Sequence, residues 1–275
     1  MTLGEMRALL AAENLRLTRS LGQNFLHDGN QLRRITALAH PAPGDPLLEI
    51  GPGLGPLTEH LIATGANVLA IEKDARLVPL LRRRLGSPPN LEILEADALE
   101  WLVQNPRDWS DWQLVANLPY SVGSPILVEL AQAPKPPKAM VVTLQAEVVD
   151  RLRAAPGTRE FGVLTLLIAR TFTPGPAFRI PATCFFPPPD VTSGCIRLDR
   201  RPVPLADGDA ARTYVHLVKT AFSQRRKQLR KVLRSTWPEP ALAAAWTALG
   251  LGDDVRPEVL SPTQFADLAR RLGPA

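Results

Sequence analysis

The sequence predicts an α/β fold in which a mostly parallel sheet is covered by helices on both faces, followed by a small all-helical region. Short continuous apolar stretches alternate with helix-like segments through the first two-thirds of the 275-residue chain. Continuous apolar strands separated by helices are typical of a parallel sheet that is buried on both sides. Beyond Arg200 the strand-like stretches stop. We therefore predict one domain over residues 1–200 and a helical domain over residues 201–275.

The individual elements follow from apolar stretches and their boundary residues. The predicted strands are 47–50, 67–71, 91–94, 113–116 and 139–144. The predicted helices are 28–39, 57–63, 75–85, 125–131, 147–153, 214–222, 227–234, 240–249 and 262–272. Asp28 is placed to cap the first of these helices, and Gly65 lies just beyond the second. In a parallel sheet the ligand crevice lies beyond the carboxyl ends of the strands, so residues there are the candidates for a site.

The composition favours a globular protein with an anionic partner. Hydrophobic residues make up 45% of the chain, enough for a substantial core. The formal net charge is +5, and the segment 212–234 contains Lys and Arg but no Asp or Glu. Such an unbroken basic stretch favours contact with phosphate groups, although a GC-rich genome also raises the Arg content.

Cysteine usage and hydropathy exclude several classes of protein. Cys184 and Cys195 form no CxxC motif or Cys/His cluster, so we expect neither a disulfide framework nor a metal site. Residues 1–19 lack the continuous apolar core of a signal peptide. No stretch approaches the length of a transmembrane helix. We expect a cytoplasmic protein without a membrane partner.

A glycine-rich turn, Glu49-Ile50-Gly51-Pro52-Gly53-Leu54-Gly55, follows the first predicted strand. Its glycines let the backbone approach a ligand without interference from Cβ atoms, but dinucleotide-binding proteins have a similar turn. Two acidic residues narrow the choice of ligand for this turn. Glu72 ends the second strand, where it can accept both hydroxyls of a ribose, and Asp97 ends the third, where it can accept the amino group of an adenine. This combination predicts a nucleoside ligand without phosphate at the turn, such as S-adenosylmethionine.

The tetrapeptide Asn117-Leu118-Pro119-Tyr120 ends the fourth predicted strand. The exocyclic amine of adenine is a poor nucleophile because its lone pair is delocalised into the ring, so its N–H groups need oriented acceptors. The Asn117 side-chain carbonyl and the Leu118 backbone carbonyl can serve as those acceptors. Tyr120 supplies a ring on which a base taken out of its helix can stack. The tetrapeptide therefore predicts methyl transfer to an exocyclic amine, while a Pro-containing loop with a buried Tyr is the alternative.

Taken in order, these motifs resemble the ribosomal RNA adenine N6,N6-dimethyltransferases, over about residues 18–268. The motifs that carry the resemblance are Gln23-Asn24-Phe25-Leu26, the turn 49–55, Glu72, Asp97, 117–120, 145–147, Phe185-Phe186-Pro187-Pro188-Pro189 and Phe222-Ser223-Gln224-Arg225-Arg226-Lys227. The bacterial small-subunit type is the most similar. One departure is Asp190, where relatives often have Lys, and there we expect an altered contact at the rim.

The resemblance implies a Rossmann-like class I S-adenosylmethionine-dependent methyltransferase domain followed by a small helical RNA-binding domain. It assigns a cofactor pocket to Asn24, Leu26, Gly51, Glu72, Asp97 and Asn117. It also implies that Phe185 covers the second face of an adenine stacked on Tyr120. For the RNA contact we predict the basic residues Arg225, Arg226, Lys227, Arg230, Lys231 and Arg234.

The implied activity is dimethylation of two adjacent adenosines in the 3′-terminal hairpin of 16S rRNA, within the small (30S) ribosomal subunit, by a monomer. Three alternatives stay open. One is the 23S rRNA adenine methyltransferase that confers macrolide resistance, against which the segment 222–227 argues. Another is a non-catalytic assembly or transcription factor with the same fold. The third, an adenine-specific DNA methyltransferase, usually carries a larger target-recognition region.

Overall fold

The computed structural model describes residues 1–15, 23–224 and 226–274, which form two compact units. The first unit comprises Met1–Val149 and Pro174–Arg200, and the second comprises Asp150–Thr173 and Arg201–Ala275. Residues 150–173, which the sequence prediction places in the first domain, thus group with the second unit. The assignment of one domain to methyl transfer and the other to RNA binding stays a prediction.

Most strands of the described residues belong to one large sheet. In chain order the strands are β1 (Phe25–Leu26), β2 (Pro46–Ile50), β3 (Asn67–Glu72), β4 (Leu91–Glu95), β5 (Gln113–Asn117), β6 (Ala139–Gln145), β7 (Phe172–Ile180), β8 (Phe185–Phe186) and β9 (Ser193–Arg200). A seven-stranded sheet has the order β4-β3-β2-β5-β6-β9-β7, and β1 pairs with β8 in a separate antiparallel ribbon. Strands β2 to β6 run parallel, whereas β9 is antiparallel to β6. The predicted mostly parallel sheet is confirmed.

Helices alternate with these strands and then continue alone. They are α1 (Leu3–Ala12), α2 (Gly29–Ala39), α3 (Pro56–Ile62), α4 (Leu77–Leu85), α5 (Ala98–Gln104), α6 (Gly123–Gln132), α7 (Ala146–Leu152), α8 (Val163–Ala169), α9 (Gly208–Phe222), α10 (Leu229–Leu233), α11 (Glu239–Leu249) and α12 (Pro262–Leu272). The Asp28 carboxylate accepts the Gln31 N–H at 2.9 Å and caps α2, as predicted. Helices α1, α5 and α8 were not among the predicted elements.

The core of the first unit joins one face of the sheet to α2 and α3. Leu47, Val68, Val115 and Val141 come from four neighbouring strands and pack in one buried cluster with helix residues such as Ile35. Burying an aliphatic side chain of this size contributes about 1.5–3 kcal/mol. This packing fixes the strands, and with them the positions of the residues that follow each strand.

The prolines of β7 explain why the sequence does not predict a strand there. The strand contains Pro174 and Pro176, and it lies at the end of the sheet order. Proline cannot donate a backbone hydrogen bond, so within sheets it is confined mainly to edge strands.

The second unit is helical and has its own core. Tyr214 of α9 is fully buried, and its hydroxyl donates to the Leu166 carbonyl at 2.9 Å. Its ring meets that of Phe265 edge-on, with 6.5 Å between ring centroids. None of the helices in the described part of the chain is both long and apolar enough to span a bilayer.

Candidate active site

A cavity opens beyond the carboxyl ends of β2, β3 and β5. The sheet order places β2 between β3 and β5, so the chain reverses direction across the sheet at this point. Ligands of open parallel sheets bind in the crevice at such a reversal. The predicted site residues that line this cavity are Asn24, Gly51, Glu72, Asp97, Asn117, Leu118 and Tyr120.

The glycine turn requires glycine for two reasons at Gly53. Its φ angle is 59°, a left-handed conformation that side chains disfavour. A Cβ atom there would also lie 2.4 Å from Cε1 of Phe25, whose ring lines the same cavity. The backbone of the turn therefore forms a close wall, and the Gly53 N–H donates to Glu72 Oε2 at 2.9 Å.

The Glu72 carboxylate is held by backbone groups on both oxygens. Oε2 accepts the Gly53 N–H, and Oε1 accepts the Asp74 N–H at 2.8 Å. The side chain is buried, and this burial raises the pKa of the carboxyl above its ordinary range, against the opposing effect of the backbone donors. Each oxygen of a carboxylate can accept a further hydrogen bond, so Glu72 can still bind two ribose hydroxyls.

Asp97 has three hydrogen-bond partners at the start of α5. Its Oδ1 accepts the Leu99 N–H at 2.9 Å and the Glu100 N–H at 3.3 Å, which caps the helix. Its Oδ2 accepts from Lys73 Nζ at 2.6 Å, and this bond holds the pKa of Asp97 below its usual range. The lysine side chain is 61% exposed. Asp97 is therefore an ionised acceptor at the rim, with an exposed partner that can turn away into solvent.

Asn117 is the last residue of β5, and its amide is oriented. Its Nδ2 donates to the Asn24 carbonyl at 2.9 Å. Its Oδ1 is buried and has no hydrogen-bond partner within residues 1–15, 23–224 and 226–274. The chain leaves the strand through Leu118, whose N–H donates to the Thr143 carbonyl at 3.1 Å. Asn117 therefore places in the cavity lining a side chain whose amide oxygen can still accept a hydrogen bond.

The Tyr120 ring lies on the same wall and is partly buried. Its hydroxyl forms a hydrogen bond with the Ser193 hydroxyl. Burial raises the pKa of the Tyr120 phenol above its ordinary value, so the hydroxyl is neutral at physiological pH.

Two predicted site residues lie in the core and not among the described cavity-lining residues. Leu26 and Phe185 are paired across the β1–β8 ribbon and are each 2% exposed. Strand pairing turns both side chains into the cluster that underlies the sheet. Phe186 is less buried, and the Arg7 guanidinium lies 5.2 Å from its ring centroid. The cofactor role of Leu26 and the stacking role of Phe185 stay predictions.

Glu49 is a buried acid that the sequence prediction did not single out. It is 1% exposed, and this burial raises the pKa of its carboxyl to about 8. The negative charge of the nearby Glu72 also raises this pKa, whereas Thr58 lowers it. Its Oε2 has no partner within the described ranges. An acid within an otherwise apolar strand was the signal available in the sequence.

Gln23 and Asp74 also connect the N-terminal motif to the site. Gln23 Nε2 donates to Asp74 Oδ2 at 2.8 Å, and Arg76 Nη2 donates to the same oxygen at 2.7 Å. Bonding to Arg76 lowers the pKa of Asp74. The described residues contain no group of three or more His, Cys, Asp or Glu that could hold a metal ion.

The basic residues of the second unit fall into two groups, and Arg225 lies outside the described residues. Arg226, Lys227 and Lys231 line a shallow surface depression together with Gln224 and Gln228. Arg230 and Arg234 both bind Glu239, the latter at 2.6 Å, and Arg230 also binds Asp253 at 2.9 Å. The acids that neutralise the second group come from beyond the basic stretch. The RNA-binding role of both groups stays a prediction.

Comparison with known proteins supports the resemblance seen in the motifs. The family model of the ribosomal RNA adenine dimethylases matches residues 14–273. A protein of Geobacillus kaustophilus named ribosomal RNA small subunit methyltransferase A is 37% identical over 99% of this chain and 97% of its own length. A protein of the same name from Opitutus terrae is 40% identical over 94% of each chain.

Solved structures agree on the fold. The 23S rRNA methyltransferase ErmE covers 90% of this chain and 99% of its own, with a TM-score of 0.69 and 29% identity. A dimethyladenosine transferase of Plasmodium falciparum covers 89% of this chain and 95% of its own, with a TM-score of 0.74 and 23% identity. The predicted class I methyltransferase fold is confirmed. With a family model matched over nearly its whole length, the chain belongs to the ribosomal RNA adenine dimethylase family.

Proposed function

We propose that this enzyme transfers methyl groups from S-adenosylmethionine to N6 of two adjacent adenosines in the 3′-terminal hairpin of 16S rRNA, giving N6,N6-dimethyladenosine. The observation that carries the proposal is the Asn117 amide. A hydrogen bond to the Asn24 backbone carbonyl fixes the orientation of the amide. The Asn117 Oδ1 atom is buried and has no partner among the described residues. Asn117 lines the same cavity as Glu72 and Asp97.

S-adenosylmethionine is the methyl donor of this enzyme, and the residues of the cavity fit it. When bound, it supplies an electrophilic methyl group on a positively charged sulfur. Glu72 would accept the ribose hydroxyls while the Gly53 N–H keeps its carboxylate in place. Asp97 would accept the adenine amino group at the rim. The turn 51–55 carries no Lys or Arg, which suits a ligand without phosphate.

The substrate adenine would be oriented by the residues that follow β5. A base inside an RNA helix cannot reach the cavity, so the target adenosine must leave its stack. For the first transfer, Asn117 Oδ1 and the Leu118 carbonyl accept the two N–H groups of N6, which directs the lone pair of the nitrogen. The Tyr120 ring supports the face of the base. Because both acceptors are neutral, the proton released after transfer leaves to water, and positioning supplies most of the acceleration.

The proposed partner is the rRNA within the small (30S) subunit, and the enzyme would act on it as a monomer. A folded RNA helix is recognised mainly through its shape and backbone. The depression lined by Arg226, Lys227 and Lys231 offers cations for that backbone. Because ribosomal RNA is its substrate, we place the enzyme in the cytoplasm.

The test is to incubate unmethylated small subunits with labelled S-adenosylmethionine and to map the modified nucleotides. We expect label in two adjacent adenosines near the 3′ end of 16S rRNA. Unmethylated large subunits are the matched control, because ErmE, a 23S rRNA methyltransferase, has a similar structure. Label in the large subunits alone would overturn the proposal in favour of that activity. A calorimetric titration that shows no binding of S-adenosylmethionine would favour a non-catalytic factor.

A further inference from the structure

The hydroxyl of Tyr120 is tied to a strand far away in the sequence. Tyr120 follows β5 and lines the cavity, and its hydroxyl forms a hydrogen bond with the hydroxyl of Ser193, 73 positions later. Ser193 is not among the residues for which we predicted a role. The bond therefore links the substrate side of the cavity to a residue that the proposed reaction does not otherwise use.

Ser193 is a rigid anchor. It is the first residue of β9, it is fully buried, and it pairs with Gln145 at the end of β6. Because β9 runs antiparallel to β6, it begins at the sheet edge where β5 and β6 end. The neighbouring Gly194 is so closely packed that an added Cβ would lie 3.1 Å from Val149 Cγ2. Strand pairing and close packing thus hold the Ser193 backbone in place.

Tyr120 extends from a turn and not from a paired strand. It lies in the turn between β5 and α6, where the Pro119 carbonyl accepts the N–H groups of Val122 and Gly123. These bonds fix the backbone of the turn but not the side chain. A tyrosine side chain rotates about two bonds, and a hydrogen bond at the far end of the ring restricts both rotations.

We propose that Ser193 is a positioning residue that sets the orientation of the Tyr120 ring against the target adenine; this rests on the proposed function. A stacked base follows the plane of its supporting ring, so a tilt of the ring moves N6 relative to Asn117 Oδ1. Small misplacements at a reacting centre reduce rates strongly. The loss of one neutral hydrogen bond should lower kcat about fivefold.

The experiment compares Ser193→Ala, Tyr120→Phe and the double variant on unmethylated small subunits. Both single variants remove the same hydrogen bond, one from each side. We expect each to lower kcat about fivefold, with unchanged affinity for S-adenosylmethionine in calorimetry and little change in Tm. The double variant should be no slower than either single variant, because Ser193 acts only through Tyr120. Thr192→Ala is the matched control, since it removes an exposed hydroxyl from the adjacent position and should leave kcat unchanged.

Each outcome decides the matter. Wild-type kcat for the Ser193→Ala protein would overturn the proposal, and so would losses that multiply in the double variant. If Ser193→Ala does not fold, Tyr120→Phe decides, because it removes the bond at a partly exposed position: wild-type kcat then overturns the proposal. A wild-type enzyme that leaves small subunits unmethylated would refute the proposed function and this inference with it. Active wild type with equally active variants refutes the inference alone.

Discussion

The cavity beyond the sheet and the basic segment of the second unit hold their polar groups in opposite ways. In the cavity, Glu72 and Asn117 are fixed by hydrogen bonds to the backbone, and the amide oxygen of Asn117 is left without a partner among the described residues. In the basic segment, Arg230 and Arg234 are neutralised by acids, whereas Lys231 lines an exposed depression. The difference shows where a single substitution should affect chemistry and where it should affect only binding.

The largest effect should come from the cavity. Asn117→Ala removes the oriented acceptor for N6, and we expect kcat to fall about 100-fold, as for other oriented groups in active sites. Binding of cofactor and RNA should be retained, as measured by calorimetry and by filter binding. Asn105→Ala, which changes an exposed amide just after α5, is the matched control. Undiminished methyl transfer by Asn117→Ala would remove the role assigned to this residue.

A substitution of Asp97 tests whether its negative charge at the rim of the cavity contributes to binding the cofactor. Asp97→Asn keeps a residue that caps α5 well, so stability should change little. The loss of a charged acceptor should weaken binding of S-adenosylmethionine about tenfold, measured by calorimetry. Lys73→Met is the comparison because it removes the exposed cation paired with Asp97 and leaves the carboxylate in the cavity lining. Equal affinities for Asp97→Asn and wild type would contradict the assignment of Asp97 to the cofactor.

Substitutions in the basic segment should change the affinity for RNA and its salt dependence, and they should leave kcat unchanged. Lys231→Ala should weaken RNA binding about threefold and lower the slope of log K against log salt by about 0.7–0.9, the value for one phosphate contact. Arg234→Ala is the matched comparison, because Glu239 already neutralises that charge. Its slope should change less. Identical slopes for both variants would mean that the ion pairs do not distinguish the two groups of cations.

The last effect concerns stability and not turnover or binding. The folded-state pKa of Glu49 is about 8, above its ordinary value of 4.5, so its stabilising contribution is complete below about pH 4.5 and is lost as the pH rises to about 8. Glu49→Gln cannot titrate. The free energy of unfolding of the variant should therefore rise relative to wild type across this window, by at most about 1.4 kcal/mol per pH unit. Urea unfolding at several pH values measures this difference in the free energy of unfolding, and Glu95→Gln, at an exposed position, is the control. Parallel pH profiles for Glu49→Gln and wild type would contradict the prediction.

The sequence predicts β2 to β6 and their ends well, because these apolar stretches are continuous and each is followed by a glycine or a polar residue. Glu72 closes β3 and Asn117 closes β5, one residue beyond the predicted ends. Helix α8 lies in a stretch that is mostly apolar, where periodicity cannot distinguish a helix from a strand. The sequence does not predict β7 because it contains prolines, which are rare in strands other than those at the edge of a sheet.

Pairings between distant residues account for what the sequence could not predict about the site. Phe185 looks like a ring available for stacking until β8 pairs with β1 and buries it. The neutralisation of Arg230 depends on Asp253, 23 positions later. Likewise, Ser193 meets Tyr120 only because β9 reverses direction beside β6. Local patterns hold no information about such contacts.

The packing of Phe25 against Gly53 has a consequence for how the turn can vary during evolution. Exchanging the aromatic ring for a smaller group would relieve the steric contact, yet the left-handed backbone at position 53 would still disfavour alanine. No single compensating change elsewhere could therefore rescue a variant at this glycine. Drift at this position should be blocked, as it should be at Gly55, where φ is 78° and an added Cβ would lie 2.5 Å from Leu81 Cδ1.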